Sequence, residues 1–163
     1  MGKKLDAVKN KAREGGESFK ESAELGKKAV SDVKQMKNLI DSLPTDVDDE
    51  IVSAAKAVEQ GTKSDAEGYM NSEVNSKLET GKKSMEAANK EANDQVKNNE
   101  RVKAVFSQMD GIGAFGKGAR AEGSRNIDQS TNEFNKEIAQ NAENTRRADE
   151  EFKKSLSDIS STF

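Results

Sequence analysis

The sequence predicts an all-α protein, an elongated antiparallel helical hairpin or three-helix coiled coil with one very long central helix over about 46–108. Three observations predict it. Apolar and small residues recur at steps of three and four along nearly the whole chain, the spacing of one helix face. No stretch carries the alternating pattern of a strand. Only 32% of the 163 residues are hydrophobic and 35% are charged, with one Tyr, six Phe and no Trp. Such a chain lacks the large apolar side chains of a spherical core and suits a narrow helical seam. The expected organisation is one elongated helical domain over 1–163. Its helices are expected at about 3–42, 46–108 and 124–161, with a Gly-rich loop over 110–123.

The first helix carries a stripe of Leu5, Val8, Ala12, Phe19, Ala23, Gly26, Val30, Val33, Ile40 and Leu43. Gly15-Gly16 interrupts it and favours a kink or fraying there. The only proline, Pro44, disfavours helical geometry at Leu43 and ends the helix. Thr45 is then the expected N-cap of the second helix, with Asp48 three residues on completing a capping-box-like pair. Asp46, Asp48, Asp49 and Glu50 crowd a first turn where the helix dipole favours negative charge.

The second stripe runs through Ile51, Ala55, Val58, Thr62, Ala66, Met70, Val74, Leu78, Gly81, Met85, Ala88, Ala92 and Val96 to Val102, Phe106 and Met109. A helix of this span is about 90–95 Å long at about 1.5 Å per residue. So polar a helix does not stand alone, and its seam needs cover. A third stripe follows the glycines, from Ile127 through Phe134, Ile138, Asn141, Phe152, Leu156 and Ile159 to Phe163. Short connections make consecutive helices antiparallel neighbours. Their lengths place a three-helix overlap near Val74, Leu78 and Met85, the expected seam core. Ala, Gly, Thr and Asn hold many seam positions that Leu or Ile would fill in a stable coiled coil. Modest stability follows; the seam reads either as a weak coiled coil or as one left incomplete for a partner helix to finish.

The net charge is −3. Residues 1–44 carry ten basic and seven acidic side chains (+3), residues 45–110 nine and fourteen (−5), and residues 111–163 eight and nine (−1). No strong positive field favours nucleic acid as a partner. The absence of His and Cys removes the commonest general base and the thiol nucleophile. The carboxylates sit beside Lys and Arg at the spacing of surface pairs. "DVDDE" lacks the glycine and distal Glu of a calcium loop. The expectation is a non-enzyme with no metal, no cofactor and no small-molecule substrate. No apolar run marks a secretory signal or approaches the roughly 18 residues of a membrane span.

The segment "FSQMDGIGAFGKGARAEG" contains Gly111, Gly113 and Gly116 in a G-x-G-x-x-G order. As a dinucleotide fingerprint it would need a strand before it. As a phosphate loop it would need Ser or Thr where Gly118 stands. An inter-helix loop is the better reading, with Gly111 or Gly113 as C-cap. Ile112 and Phe115 form a candidate apolar tip, and the favoured expectation tucks both against the neighbouring helix ends. Membrane contact through the tip is the lesser reading.

Phe106-Ser-Gln-Met-Asp110 is an aromatic-x-x-x-acid element at the end of the central helix, and Tyr69-Met-Asn-Ser-Glu73 is a second of the type. With a first helix of about forty residues, the turn at "SLPTD" and the small-residue, Arg-rich "IAQNAENTRRADEEF", the chain resembles the helical substrates and partners of bacterial type VII secretion. These include the Trp-Xaa-Gly hairpins, the targeting domains of Leu-Xaa-Gly toxins and their small helical partners. Leu43-Pro44-Thr45 stands where the hairpins carry Trp-Xaa-Gly. The resemblance implies that Phe106 and Asp110 belong to a secretion or partner element. It also implies a bacterial protein that is secreted or surface-located by a signal-less route, with a cytoplasmic location as the alternative. Another helical protein, or self-association, is the expected partner. A membrane-active pore former using the Gly-rich tip is the alternative function, and a structural spacer or filament component the second alternative.

Overall fold

The computed structural model describes residues 2–163, which are helical with no strand among them. The elements are α1 (Lys3–Asp41), α2 (Asp49–Tyr69), a π-helical turn (Met70–Val74), α3 (Asn75–Ile112) and α4 (Lys117–Thr162). Two compact units are distinguished, and both draw on α1, the central helical run and α4. One comprises Met1–Gly15 with Lys83–Asn144, the other Gly16–Lys82 with Thr145–Phe163.

In the first unit Leu5 and Val8 of α1 meet Ala88 and Ala92 of α3 and Phe134 of α4, with Ala12, Val96 and Ile138 at the margin. Two alanines at the centre let the helices approach closely. Phe134 supplies the bulk that they lack. Asn141 is buried on the same stripe, and its Nδ2 donates to Asn89 Oδ1 at 2.9 Å. A buried amide pair of this kind favours one register over its neighbours, because any slip leaves the amide unsatisfied. Asn99 Nδ2 donates to Ser130 Oγ and Thr131 Oγ1 at 3.2 and 3.0 Å. Lys11 pairs with Glu91 at 2.6 Å.

In the second unit Val33 of α1 packs with Met70 and Val74 of the π turn and Ile159 of α4. Leu25, Val30, Phe152 and Leu156 surround them. The three helices pack tightly around Gly26. A Cβ there would lie 3.1 Å from Ser155 Oγ and 3.6 Å from Met70 Cε. Lys82 Nζ reaches Asp149 at 2.7 Å. The hydrogen bond to Asp149 raises the Lys82 pKa above its usual value. The raised value stabilises the fold below the ordinary lysine pKa, and the contribution fades as pH climbs through the folded value.

The π turn has a cause in the sequence. From Val58 to Leu78 the apolar positions advance by five consecutive steps of four (58, 62, 66, 70, 74, 78). That is about four residues per turn, against 3.6 for an α-helix. Such a run would carry the stripe around the helix and off the seam. One wider turn returns it to the seam. The Asn75 N–H accordingly donates to the Met70 carbonyl, five residues back. The widened turn also has a side-chain partner, since the buried Ser22 hydroxyl donates to the Val74 carbonyl at 3.1 Å. This explains why Ser22 is buried while Ala23, the expected stripe residue, is only half-buried.

Several boundaries differ from the sequence expectation. α2 begins at Asp49 with Asp48, not Thr45, as N-cap. The Asp48 carbonyl accepts from the Ile51 and Val52 N–H groups at 2.9 and 3.1 Å, and no side chain caps the end. Asp49 and Glu50 alone provide the acidic first turn. The predicted Gly-rich loop over 110–123 shrinks to residues 113–116, because Gly111, Gly118 and Gly123 are helical. Gly15-Gly16 is helical as well. Contact among three helices is present within each unit. α1 and α4 both reach the central run at Met70 and Val74 in one unit and at Ala88 and Ala92 in the other.

Leu78 is 2% exposed. Leu78→Asp should therefore cause extensive loss of helix, since a charge is placed where no partner meets it. Circular dichroism checks this, and an unchanged spectrum and melting curve would contradict the placement.

Candidate interaction surfaces

The reversal between α3 and α4 is built by one arginine. The Arg120 Nε donates to Asp110 Oδ1 at 2.8 Å, and its NH2 lies 2.6 Å from the same oxygen. NH1 donates to the Phe115 carbonyl at 2.5 Å and NH2 to the Gly113 carbonyl at 3.2 Å. The planar fork of a guanidinium can hold a carboxylate and two carbonyls together, which an ammonium cannot do in one geometry. Only 11% of the Arg120 side chain is exposed although it sits at the end of a hairpin. Gly116 permits the arrangement. Its φ is +76°, the only positive value among the described residues, and a Cβ there would sit 3.3 Å from Arg120 NH1.

The clamp leaves the two apolar tip residues in solvent. Ile112 is 89% exposed and Phe115 98%. The expectation that both tuck against the helix ends is thus overturned. The backbone carbonyls of the turn are directed inward to Arg120, and no apolar surface faces the two side chains. Phe106 is half-buried against α4, where the Cβ that Gly123 lacks would lie 3.3 Å from Phe106 Cε2. Phe106 and Asp110 therefore lie one helical turn apart on the face of α3 that meets α4. Their aromatic ring and carboxylate both have partners within the chain.

A second surface lies where α1 ends and α2 begins. No residue of α2 is buried. Leu39, Leu43, Ile51 and Val58 line an apolar groove between the two helices with Ile40, Ala54 and Ala55. Leu39 is 69% exposed and Val58 56%. The last turn of α4 lies beside α2 at Glu67, where the Ser160 hydroxyl donates to Glu67 Oε1 at 3.2 Å. The groove residues of α2, Ile51, Ala54, Ala55 and Val58, all precede Glu67. Lys37 and Asp41 pair at 2.7 Å beside the groove, and that hydrogen bond raises the Lys37 pKa. The end of α3 is similarly bare, with Val102, Val105 and Met109 all exposed.

Among the predicted site residues, Val74, Leu78 and Met85 are buried. Phe106 and Asp110 are brought together with Gly123 and Arg120. Ile112 and Phe115 stand free of the packed helices. Sequence reasoning missed Arg120 as the organiser of the turn. Its only signal was a lone arginine four residues after Gly116. Comparison with protein-family models, with curated proteins and with solved structures gives no match.

Gly116→Ala should cost about 1–2 kcal/mol, the usual penalty for a left-handed L-residue. Arg120→Lys should also lower the melting temperature, because the ammonium cannot reproduce the fork. Thermal melts check both, and two unshifted curves would show that the clamp does not hold the turn.

Proposed function

We propose that the chain is a non-enzymatic helical interaction protein, a bacterial secreted protein of type VII character or the partner or targeting module of one. It acts by helix–helix association. The observation that carries this proposal is the distribution of exposed apolar residues. They continue the buried stripes at helical spacing, on α1 and α2 at Leu39, Ile51 and Val58 and on α3 at Val102, Val105 and Met109. A partner helix would extend the same packing over them. In this arrangement residues 49–112 serve as one central helix against which α1 and α4 fold back, a role supported by their shared stripe. The Phe106–Asp110 element would be read by the export machinery as part of a composite helical end, with Arg120 fixing its shape.

A second function is favoured by one observation, the nearly complete exposure of Ile112 and Phe115. A rigid turn presenting two apolar side chains suits shallow insertion at a lipid interface. No described helix is long and apolar enough to cross a membrane. The contact would thus be confined to the tip.

Expression in a bacterium with type VII machinery separates the two. The chain should reach the medium, and Phe106→Ala and Asp110→Ala should reduce its export severalfold while leaving helicity intact. Equal export from a strain with the secretion ATPase disabled would overturn the proposal. Leakage of liposomes that is abolished by Phe115→Ser would favour the membrane function instead.

A further inference from the structure

We infer that the clamped turn between α3 and α4 is a lipid-contact site, that its occupant is the headgroup region of an anionic bilayer, and that the contact depends on Arg120. The inference rests on the second function proposed above and names its partner and the residue that permits it. The whole site lies within the unit that holds Lys83–Asn144. The tip presents Ile112 and Phe115, 89% and 98% exposed. Around them stand Gly111, Gly113, Ala114, Gly116, Gly118 and Ala119, which have no side chain long enough to hydrogen-bond or to shape a cleft. A specific protein interface buries about 800 Å² on each partner. Two apolar side chains projecting from glycines supply a fraction of that, the Phe about 150–250 Å². A lipid interface needs neither that area nor shape complementarity, and it gains from whatever apolar surface enters it.

Two costs oppose such entry, bare charge and unpaired backbone. Arg120 reduces both. Asp110 is the only carboxylate in residues 107–119, and the Arg120 guanidinium holds it at 2.6 Å, so it meets the bilayer as half of a neutral pair. All four carbonyls of the turn have donors within the chain. The Arg120 guanidinium donates to those of Gly113 and Phe115, the Lys117 N–H to that of Ala114 at 3.1 Å, and the Arg120 N–H to that of Gly116 at 2.9 Å. The helix-end carbonyls of Asp110, Gly111 and Ile112 still need water, which keeps the entry shallow. With Asp110 neutralised, the exposed Lys117 sets the charge of the tip. A cation there favours anionic headgroups.

The test places one tryptophan in the full chain, which has none of its own. Phe115→Trp is mixed with vesicles of phosphatidylcholine alone or of phosphatidylcholine with phosphatidylglycerol, brominated at shallow or deep acyl positions. The expected result is a blue-shifted emission that the shallow bromines quench. Val58→Trp, in the groove between α1 and α2, should be neither shifted nor quenched. Ile112→Asp added to Phe115→Trp should weaken partition by about tenfold or more. Lys117→Gln in the same background should remove a preference of about fivefold for the anionic vesicles. Both side chains are exposed, so circular dichroism should show unchanged helicity. Arg120→Gln, which bares the Asp110 charge and frees two carbonyls, should weaken partition severalfold. An emission unshifted and unquenched by either kind of vesicle overturns the inference and the membrane function together. Quenching that Arg120→Gln leaves unchanged overturns the dependence on the clamp while the membrane function stands. Equal quenching with and without phosphatidylglycerol overturns the anionic surface as occupant, and equal quenching of Val58→Trp overturns the tip as the site.

Discussion

The structure depends on keeping a seam only one or two side chains wide aligned between helices over many turns. Helices repeat at 3.6 residues, and a stripe that departs from that period drifts around the surface until it no longer faces its neighbour. This chain has few large apolar residues with which to widen the stripe, so alignment must be maintained locally. Between Val58 and Leu78 the stripe steps by four each time. The wider turn at Met70–Val74 absorbs the difference. Ser22 bonds the Val74 carbonyl, and Gly26 leaves room for Met70 and Ser155. The burial of a serine and a glycine on α1 follows from the step pattern of a segment some fifty residues away.

Much of the helical order was legible in the sequence. Pro44 marks the end of α1 through its clash with helical geometry at Leu43, and the three stripes identify which faces are buried. The run of fours was equally visible, but a stripe read only as "three or four" hides it. Other features were not legible. Gly118 and Gly123 counted toward a loop because glycine is permissive, yet a helix tolerates glycine where packing requires it, and Gly123 makes room for Phe106. The outward placement of Ile112 and Phe115 depends on Arg120 reaching back to Asp110, ten positions earlier. No periodicity encodes such a contact. The N-cap position falls at Asp48 in place of Thr45 without any side-chain bond, so the capping preference read from Thr45 did not decide it.

The same packing leaves other apolar residues outside the cores. Where three helices meet, alanines, a glycine and a buried asparagine sit among larger residues such as Phe134, Met70 and Ile159. Where only two meet, larger residues such as Leu39, Ile51, Val58, Val105 and Met109 stand in solvent. A chain with so few large apolar residues leaves many of them outside its own core. Their charged surroundings differ, acidic at the α1–α2 end and mixed at the α3–α4 end. The clamped turn with its apolar tip belongs to the reversal between α3 and α4.

Hydrogen exchange measured residue by residue on the dilute chain tests most directly whether stability resides where three helices meet. The account predicts the strongest protection over residues 70–92, with the amides of 51–60 in α2 and 101–111 in α3 exchanging far faster. Uniform protection along the helices, or slower exchange at the two-helix ends than at Met70–Ala92, would contradict it.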